Sequence, residues 1–217
     1  MGGLSPHLLI DGAWDDTSLV VTSDQLHHLE KVLRVTPGVE VSYTDGRGTV
    51  GTGVFESGRI IRDQEGTVPR PSPLTLAVAP PASRDRCRFL VEKLSELGVA
   101  RLVWLSTRRG EGRIPHAGKI TSWAAAGLEQ SRGGWLIEIG TEMTGWDDLD
   151  RPLVVADPGG GNEVFEVRTV AVGPEGGWDQ AEIPADAATI DLGSTILRVE
   201  TAAVVAASRF SRPWHGA

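Results

Sequence analysis

The 217-residue sequence contains a single cysteine, Cys87, which excludes an intrachain disulfide framework and any zinc site built from cysteines. The five histidines show no spacing typical of metal ligands. His27 and His28 are adjacent, so on a helix their side chains diverge by about 100° and cannot chelate together. We therefore expect no bound metal.

Long apolar runs are also missing. No apolar stretch reaches the roughly 18 residues that a membrane-spanning helix requires. The N-terminus has neither the charged start nor the long apolar stretch of a signal peptide. These features predict a soluble, cytoplasmic protein. The length allows one large domain, or a medium-sized domain with a small one.

Basic residues are fewer than acidic ones: the sequence has 21 Lys and Arg against 29 Asp and Glu, which gives a net charge of −8. This balance argues against indiscriminate nucleic-acid binding, which needs a basic surface. Residues 84–113 are an exception, because they hold eight basic residues against four acidic ones. This basic island is either a solvated helix face or a surface for one specific anionic partner. Its cations are Arg84, Arg86, Arg88, Lys93, Arg101, Arg108, Arg109 and Arg113.

The first seventy residues have the pattern of a small, mostly β unit. Strands are predicted at 19–21, 39–43 and 49–55, and "DGRG" before the last of them is a strong turn signal. A helix is predicted over 23–34, with Ser23 as its N-cap and a stripe formed by Leu26, Leu29 and Leu33.

The pattern changes after the proline-rich stretch 68–73, which indicates a linker. Apolar strands then alternate with helices, and this order predicts a parallel α/β sheet. The predicted strands are 74–79, 102–106, 153–156, 169–173 and 189–192. Three helices are predicted: one over 84–97, one around 118–131, and one that begins at about Ile196. Gly98 is expected to end the first of them as a C-terminal cap.

Three of these strands are followed by unusual loops: "ADPGGGN" (156–162), "VGPEGGWD" (172–179) and "LGSTILR" (192–198). In parallel α/β sheets ligands bind at the carboxyl ends of the strands, and glycine lets the backbone approach a ligand closely. In the middle loop Asp179 is predicted as an N-cap with Glu182 completing a capping box, and Pro184 limits the turn. A ligand site is therefore expected here. Neither GxGxxG after a strand nor GxxxxGK[ST] is present, so neither a Rossmann NAD site nor a P-loop is supported.

The last predicted helix carries two charges, Arg198 and Glu200, in an apolar run. Two positions apart on a helix, they point to nearly opposite sides. Each needs its own partner if it is buried, because an isolated buried charge is destabilising. The partners must come from elsewhere in the fold, from a ligand, or from another subunit.

Taken together, "HLEKVLR" (28–34), "VEKLSELGV" (91–99), "EQS" (129–131), "VGPEGG" (172–177) and "LGSTILRVETA" (192–202) resemble the 16S rRNA (uracil-N3)-methyltransferase family, RsmE, of the SPOUT superfamily. The resemblance implies a PUA-like β-barrel RNA-binding domain over residues 1–70. It implies an α/β SPOUT methyltransferase domain with a trefoil knot over residues 74–217. It also implies a homodimer that binds S-adenosyl-L-methionine and methylates N3 of a uridine in 16S rRNA of the small ribosomal subunit. The acidity of the chain favours an assembled ribosomal particle as the substrate.

The resemblance also implies roles for particular residues. Arg198 is expected to stabilise charge on the uracil, and Glu200 to act as organiser or base; a buried ion network is the alternative for both. The cofactor pocket is expected to comprise Val155, Ala156, Val172, Gly173, Pro174, Glu175, Gly176, Gly177, Leu192, Gly193, Ile196 and Leu197. The expected RNA contacts are Arg34, Lys93, Arg108, Glu129, Gln130 and Arg132.

Several features depart from the family pattern, and two of them are positions at which the family has a basic residue. Gly133 stands where the family has an arginine, and Ser83 stands where it has a basic residue. These differences keep two alternatives open. One is a SPOUT methyltransferase that acts on a different RNA or base, and the other is a catalytically silent RNA-binding or ribosome-assembly factor.

Overall fold

A computed structural model describes residues 5–12, 14–15, 17–162 and 166–211. The chain forms two compact units: residues 1–70 with 128–136, and residues 71–127 with 137–217. The predicted N-terminal and C-terminal domains each extend into residues outside the described ranges, 1–4 and 212–217. Within those ranges, no helix has the length and apolar character needed to span a bilayer.

The first unit contains one mixed sheet of five strands. They are β1 (His7–Leu9), β2 (Ser18–Val20), β3 (Glu40–Thr44), β4 (Thr49–Glu56) and β5 (Arg59–Thr67), in the order β1-β3-β4-β5-β2. β1 pairs with β3 in parallel, and the other pairs are antiparallel. The three predicted strands correspond to β2, β3 and β4, whereas β1 and β5 were not predicted.

The helix of the first unit is shorter than predicted. α1 (Ser23–His27) continues into a π-helical turn at His28–Val32. The N-cap is Thr22 and not Ser23, because Gln25 at the third helical position exchanges hydrogen bonds with Thr22 in a capping box. Of the predicted stripe, Leu29 is fully buried, but Leu33 is 46% exposed.

The second unit contains a six-stranded sheet in which every pair is parallel, as predicted. Its strands are β6 (Thr75–Val78), β7 (Arg101–Leu105), β8 (Glu138–Thr144), β9 (Leu153–Gly161), β10 (Thr169–Val172) and β11 (Ala188–Ile190), in the order β11-β9-β10-β6-β7-β8. The fold class, an α/β unit that follows a small β unit, is confirmed. β8 was not predicted, and the trefoil knot stays a prediction.

Three helices pack in the second unit: α2 (Arg84–Glu96), α3 (Ala117–Ser131, whose last turn belongs to the first unit) and α4 (Val199–Phe210). α2 ends as predicted at Gly98, which has φ +66°. The Val99 amide donates to the Leu94 carbonyl at 3.1 Å, which is the long bond of a Schellman motif.

The start of α4 corrects the prediction for the last helix. The helix begins at Val199 and not at Ile196, and Arg198 is its N-cap, with an extended backbone. Arg198 is exposed, so it is not the buried guanidinium that the apolar run suggested. Glu200, in the first turn, is buried with 7% of its surface exposed, and only this charge needs an internal partner.

Candidate functional site: a cleft at adjacent strand ends

The carboxyl ends of β11, β9 and β10 are neighbours in the sheet, and a cleft of about 310 Å³ lies beside them. This volume is at the lower end of the range for small-molecule pockets, roughly 300–1,000 Å³. All three loops singled out in the sequence contribute to the lining. The position agrees with the rule that ligands bind at the carboxyl ends of parallel strands.

Most of the predicted cofactor residues line this cleft. They are Ala156, Val172, Gly173, Pro174, Glu175, Gly177, Leu192, Gly193, Ile196 and Leu197. Two others do not. Val155 is fully buried within β9, and a Cβ on Gly176 would face the side chain of Arg109 at 3.4 Å. Their binding roles, and those of the lining residues, stay predictions.

Trp178 fixes the middle loop. Its Nε1 donates to the carbonyl of Ala156 at 2.8 Å, and its ring packs against Trp146 with centroids 5.4 Å apart. A Cβ on Gly173 would lie 2.8 Å from the Trp178 ring, so any other residue at that position would have to displace the indole. The indole therefore ties the end of β9 to the loop that follows β10.

The predicted capping box after this loop is confirmed. Asp179 accepts the Ala181 amide at 3.0 Å, and its own amide donates to Glu182 Oε1 at 3.2 Å. The turn is a single 3₁₀ turn, Gln180–Glu182, ending just before Pro184 as expected. The loop is thus held at both of its ends.

The cleft presents more negative than positive side chains. The carboxylates of Asp157, Glu175 and Asp191 line it, together with one cation, Arg198. Asp191 Oδ1 accepts the amide of Gly193 at 2.9 Å, which shapes the third loop. The first and third of these acids were not singled out in the sequence. Carboxylates beside exposed backbone suit a ligand that carries positive charge and hydroxyl groups.

Glu200 does not line the cleft but is connected to it through Arg86. Arg86 Nε lies 3.7 Å from Glu200 Oε1, and its Nη1 lies 3.2 Å from Glu175 Oε1. Glu200 Oε2 has no hydrogen-bond partner among the described residues. Arg86 on α2 thus bridges a cleft residue and α4. This role could not be predicted from the sequence, since Arg86 is one of several cations on its helix.

Cys87, next to Arg86, is buried, and its thiol donates to the carbonyl of Pro81 at 3.4 Å. Burial, with the nearby carboxylates of Glu175 and Glu200, raises the thiol pKa to about 11. The protonated thiol is a poor nucleophile at neutral pH.

Two of the expected RNA contacts, Lys93 and Arg108, are already paired with carboxylates. Lys93 Nζ lies 2.7 Å from Glu96 Oε1, and Arg108 Nη1 lies 3.0 Å from Asp179 Oδ2. Arg34, in the first unit, is exposed and has φ +57°.

The other expected RNA contacts lie in the segment 128–136 of the first unit. Glu129 Oε1 accepts the Leu9 amide at 2.9 Å, and Arg132 donates to the Ser5 carbonyl and to Ser42 Oγ. Gln130 is exposed. Burial raises the pKa of Glu129, and the Leu9 amide opposes that rise. Glu129 and Arg132 therefore hold the N-terminal strand in place.

Comparison with known proteins places these features in a family. The model of a family described as RNA methyltransferase domain matches residues 68–211. A curated relative, ribosomal RNA small subunit methyltransferase E from Synechocystis sp., is 25% identical over 90% of this chain and 73% of its own length.

Solved structures agree in fold. A probable rRNA-methyltransferase from Porphyromonas gingivalis is 24% identical, with a TM-score of 0.79 over 94% of this chain and 96% of its own. Ribosomal RNA small subunit methyltransferase E from Neisseria gonorrhoeae, bound to S-adenosyl methionine, is 23% identical, with a TM-score of 0.79 over 95% and 96%. A putative methyltransferase from Legionella pneumophila, in complex with the same cofactor, is 21% identical, with a TM-score of 0.79 over 95% and 97%.

Proposed function

We propose a function for this chain from the fact that it belongs to the RNA methyltransferase domain family, whose model matches residues 68–211. The chain is an RNA methyltransferase, and we infer that it transfers a methyl group from S-adenosyl-L-methionine to N3 of a uridine in 16S rRNA. The observation that carries the proposal is that the matched segment includes all three loops of the cleft. The target follows from the name of the curated Synechocystis relative and from the RsmE-type motifs.

The residues of the cleft fit this cofactor. S-adenosyl-L-methionine carries a sulfonium, an ammonium, ribose hydroxyls and an adenine, and supplies the methyl group when bound. The carboxylates of Asp157, Glu175 and Asp191 suit the positive groups and hydroxyls. Apolar surface from Leu197 and Ala202 suits the adenine.

Arg198 is the residue best placed to assist transfer. N3 of uracil is an imide nitrogen between two carbonyls, and methylation replaces its hydrogen. Loss of the N3 proton places negative charge on N3 and on the two carbonyl oxygens, and this charge is neutralised when N3 takes the methyl group, whose bond to the donor sulfur breaks. Arg198 lines the cleft and is exposed, so its guanidinium can reach those oxygens and stabilise them.

Glu200 is better suited to organise the site than to accept the proton. Its carboxylate is buried and lies beside Arg86, and Glu200 is not among the residues that line the cleft. Through Arg86 it helps to hold Glu175 in the cofactor wall. We therefore assign proton removal to a water or to another carboxylate of the cleft, and positioning to Glu200.

The remaining parts of the proposal concern organisation and partners. Residues 1–70 serve as the RNA-binding domain and residues 74–217 as the methyltransferase domain, with the segment 128–136 packed into the first unit. The protein acts as a homodimer in the cytoplasm. Its acidity, at a net charge of −8, favours an assembled small ribosomal subunit over free RNA as substrate.

The test is nucleoside mass spectrometry of 16S rRNA from a strain that lacks this protein. Loss of 3-methyluridine, restored by the wild-type gene but not by an Arg198→Ala variant, is the expected result. An unchanged level of 3-methyluridine rejects the target. Methylation of total RNA from the deletion strain with labelled donor then shows whether another RNA is the substrate. Absence of donor binding in calorimetry, even at high concentration, indicates a catalytically silent protein.

A further inference from the structure

A second cavity, of about 570 Å³, lies in the second unit. It is lined by residues from the start of α2 and from the segment that leads into α3. Three cations, Arg84, Arg113 and Lys119, line it with His116, against one carboxylate, Glu111. We call it the basic cavity. Such a concentration of positive side chains is unusual on a chain with a net charge of −8.

Ion pairing divides the basic island into two groups. The paired cations have a carboxylate within 2.7 to 3.7 Å, and they are Arg86, Arg88, Lys93, Arg101 and Arg108. Within the described ranges, Arg84, Arg113 and Lys119 have no carboxylate oxygen within the 4.0 Å that defines an ion pair. Arg109 instead donates to the carbonyl of Gly176 at 3.3 Å. Two of the island's cations without a carboxylate partner, Arg84 and Arg113, thus line the basic cavity, and Lys119, from outside the island, lines it as well.

The walls of the basic cavity are fixed by the backbone. A Cβ on Gly112 would lie 1.8 Å from the Pro80 carbonyl oxygen, so the segment that carries Glu111 and Arg113 runs directly against the loop after β6. Only glycine permits so close an approach. The cations are therefore presented from backbone that is held in place.

His116 adds a hydrogen-bond donor at the start of α3. Its Nδ1 accepts the amide of Gly118 at 3.2 Å, so the neutral ring carries its proton on Nε2. Its carbonyl accepts the amide of Lys119 at 2.8 Å, which begins the helix. The positive end of the helix dipole adds to the charge of the side chains.

We propose that the basic cavity binds a backbone phosphate of the RNA substrate, next to the nucleotide that is methylated. The inference rests on the proposed function. Phosphate oxygens only accept hydrogen bonds, and arginine, lysine and an Nε2 proton only donate them. The Ala82 amide of this cavity lies 3.5 Å from Glu175 Oε1 of the cofactor cleft, so the two cavities adjoin. A phosphate held in one positions a base over the other.

The experiment removes two cations from the cavity and two from outside it. The test variant is Arg113→Gln with Lys119→Gln. The matched control is Arg88→Gln with Arg101→Gln, which removes the same charge from paired positions of the same unit. All four side chains are exposed, so both variants are expected to fold. Binding of a fluorescein-labelled hairpin from 16S rRNA is followed by anisotropy over a series of KCl concentrations.

For the test variant we expect RNA affinity to fall about tenfold or more, because charge-assisted hydrogen bonds are lost. The slope of log affinity against log salt should become shallower by about 0.7, the value for one phosphate contact on a single strand. The control should leave this slope close to that of the wild type, and donor affinity should be unaltered in both variants. Equal losses in test and control, or salt plots parallel to the wild type, overturn the phosphate site.

The same proteins separate this inference from the proposed function. If the wild type forms 3-methyluridine and the test variant keeps wild-type RNA affinity and KM, the phosphate site is wrong and the function stands. If the wild type forms no 3-methyluridine but the test variant alone loses RNA affinity, the phosphate site stands and the target is wrong.

Discussion

Replacement of Gly173 by alanine tests how the wall of the cofactor cleft is built. The new Cβ would lie 2.8 Å from Cε2 of Trp178 and 3.1 Å from two further ring carbons. Carbon atoms pack favourably at about 3.5–4.0 Å, so the indole must move by roughly 0.7 Å or more. The perturbation is small in volume but falls on a ring that cannot move freely.

Three contacts oppose that movement. Trp178 Nε1 donates to the Ala156 carbonyl at 2.8 Å, Trp146 packs against the ring, and only 8% of Trp178 is exposed. Overpacking of this kind destabilises by about 1–3 kcal/mol, and a weakened hydrogen bond adds about 1 kcal/mol. We expect Gly173→Ala to lower the free energy of unfolding by about 2–4 kcal/mol, or the Tm by roughly 4–16 °C.

Gly176→Ala is the matched control from the same GPEGG motif. Its Cβ would lie 3.4 Å from Cβ of Arg109, its φ is not in the left-handed region, and Gly176 does not line the cleft. Its unfolding free energy should stay within about 0.5 kcal/mol of the wild type. Urea unfolding gives the stabilities, and calorimetry with S-adenosyl-L-methionine should show at least about a tenfold loss of affinity for Gly173→Ala alone. Equal behaviour of the two variants refutes the role assigned to Trp178.

Three further predictions concern charged residues. Arg198→Ala should slow methyl transfer by about 10²–10³-fold in single-turnover assays, with unfolding within about 0.5 kcal/mol of the wild type, and a near-normal rate would contradict its assignment. Arg86→Met should cost about 1–3 kcal/mol in urea unfolding, because Glu200 loses its partner, and Arg86→Lys should recover part of this; equal stability of the Met variant excludes the bridge. Burial raises the pKa of Glu129 above its usual 4.5, so the folded protein keeps this proton at pH values where the unfolded chain has lost it. The contribution of Glu129 to the free energy of unfolding therefore falls as the pH rises from 4.5 through the raised pKa. Glu129→Gln should gain stability relative to the wild type across that window, and a constant difference between the two proteins would oppose this.

Local rules were enough to predict the loops around the cleft. The capping box at Asp179 and Glu182 depends only on residue types three positions apart. Pro184 ends the turn because proline cannot continue a helix, whatever the surrounding fold. The parallel sheet follows from buried apolar strands that alternate with helices. The cleft forms because the strands β11, β9 and β10 are neighbours in the sheet, so the loops after their carboxyl ends lie side by side.

Features that depend on distant residues were not predictable in this way. β5 contains several charged residues, and its strand structure comes from pairing with β4 and β2 on either side. The apolar residues before Val199 favour a helix by composition, yet Ile196 is 88% exposed because this segment lines the cleft instead. Arg86 is distinguished from the other arginines of α2 only by what α4 and the GPEGG loop place beside it.

The pairing of charges also bears on which cations meet RNA. The resemblance assigns Lys93 and Arg108 to phosphates, but each has a carboxylate within 3.0 Å. An exposed ion pair is worth only about 0–1 kcal/mol, so a phosphate could displace Glu96 or Asp179. The displaced carboxylate would then remain nearby and repel the phosphate, which reduces the net gain. Arg113 carries no such opposing partner among the described residues, and for that reason removing it should weaken RNA binding more than removing Lys93.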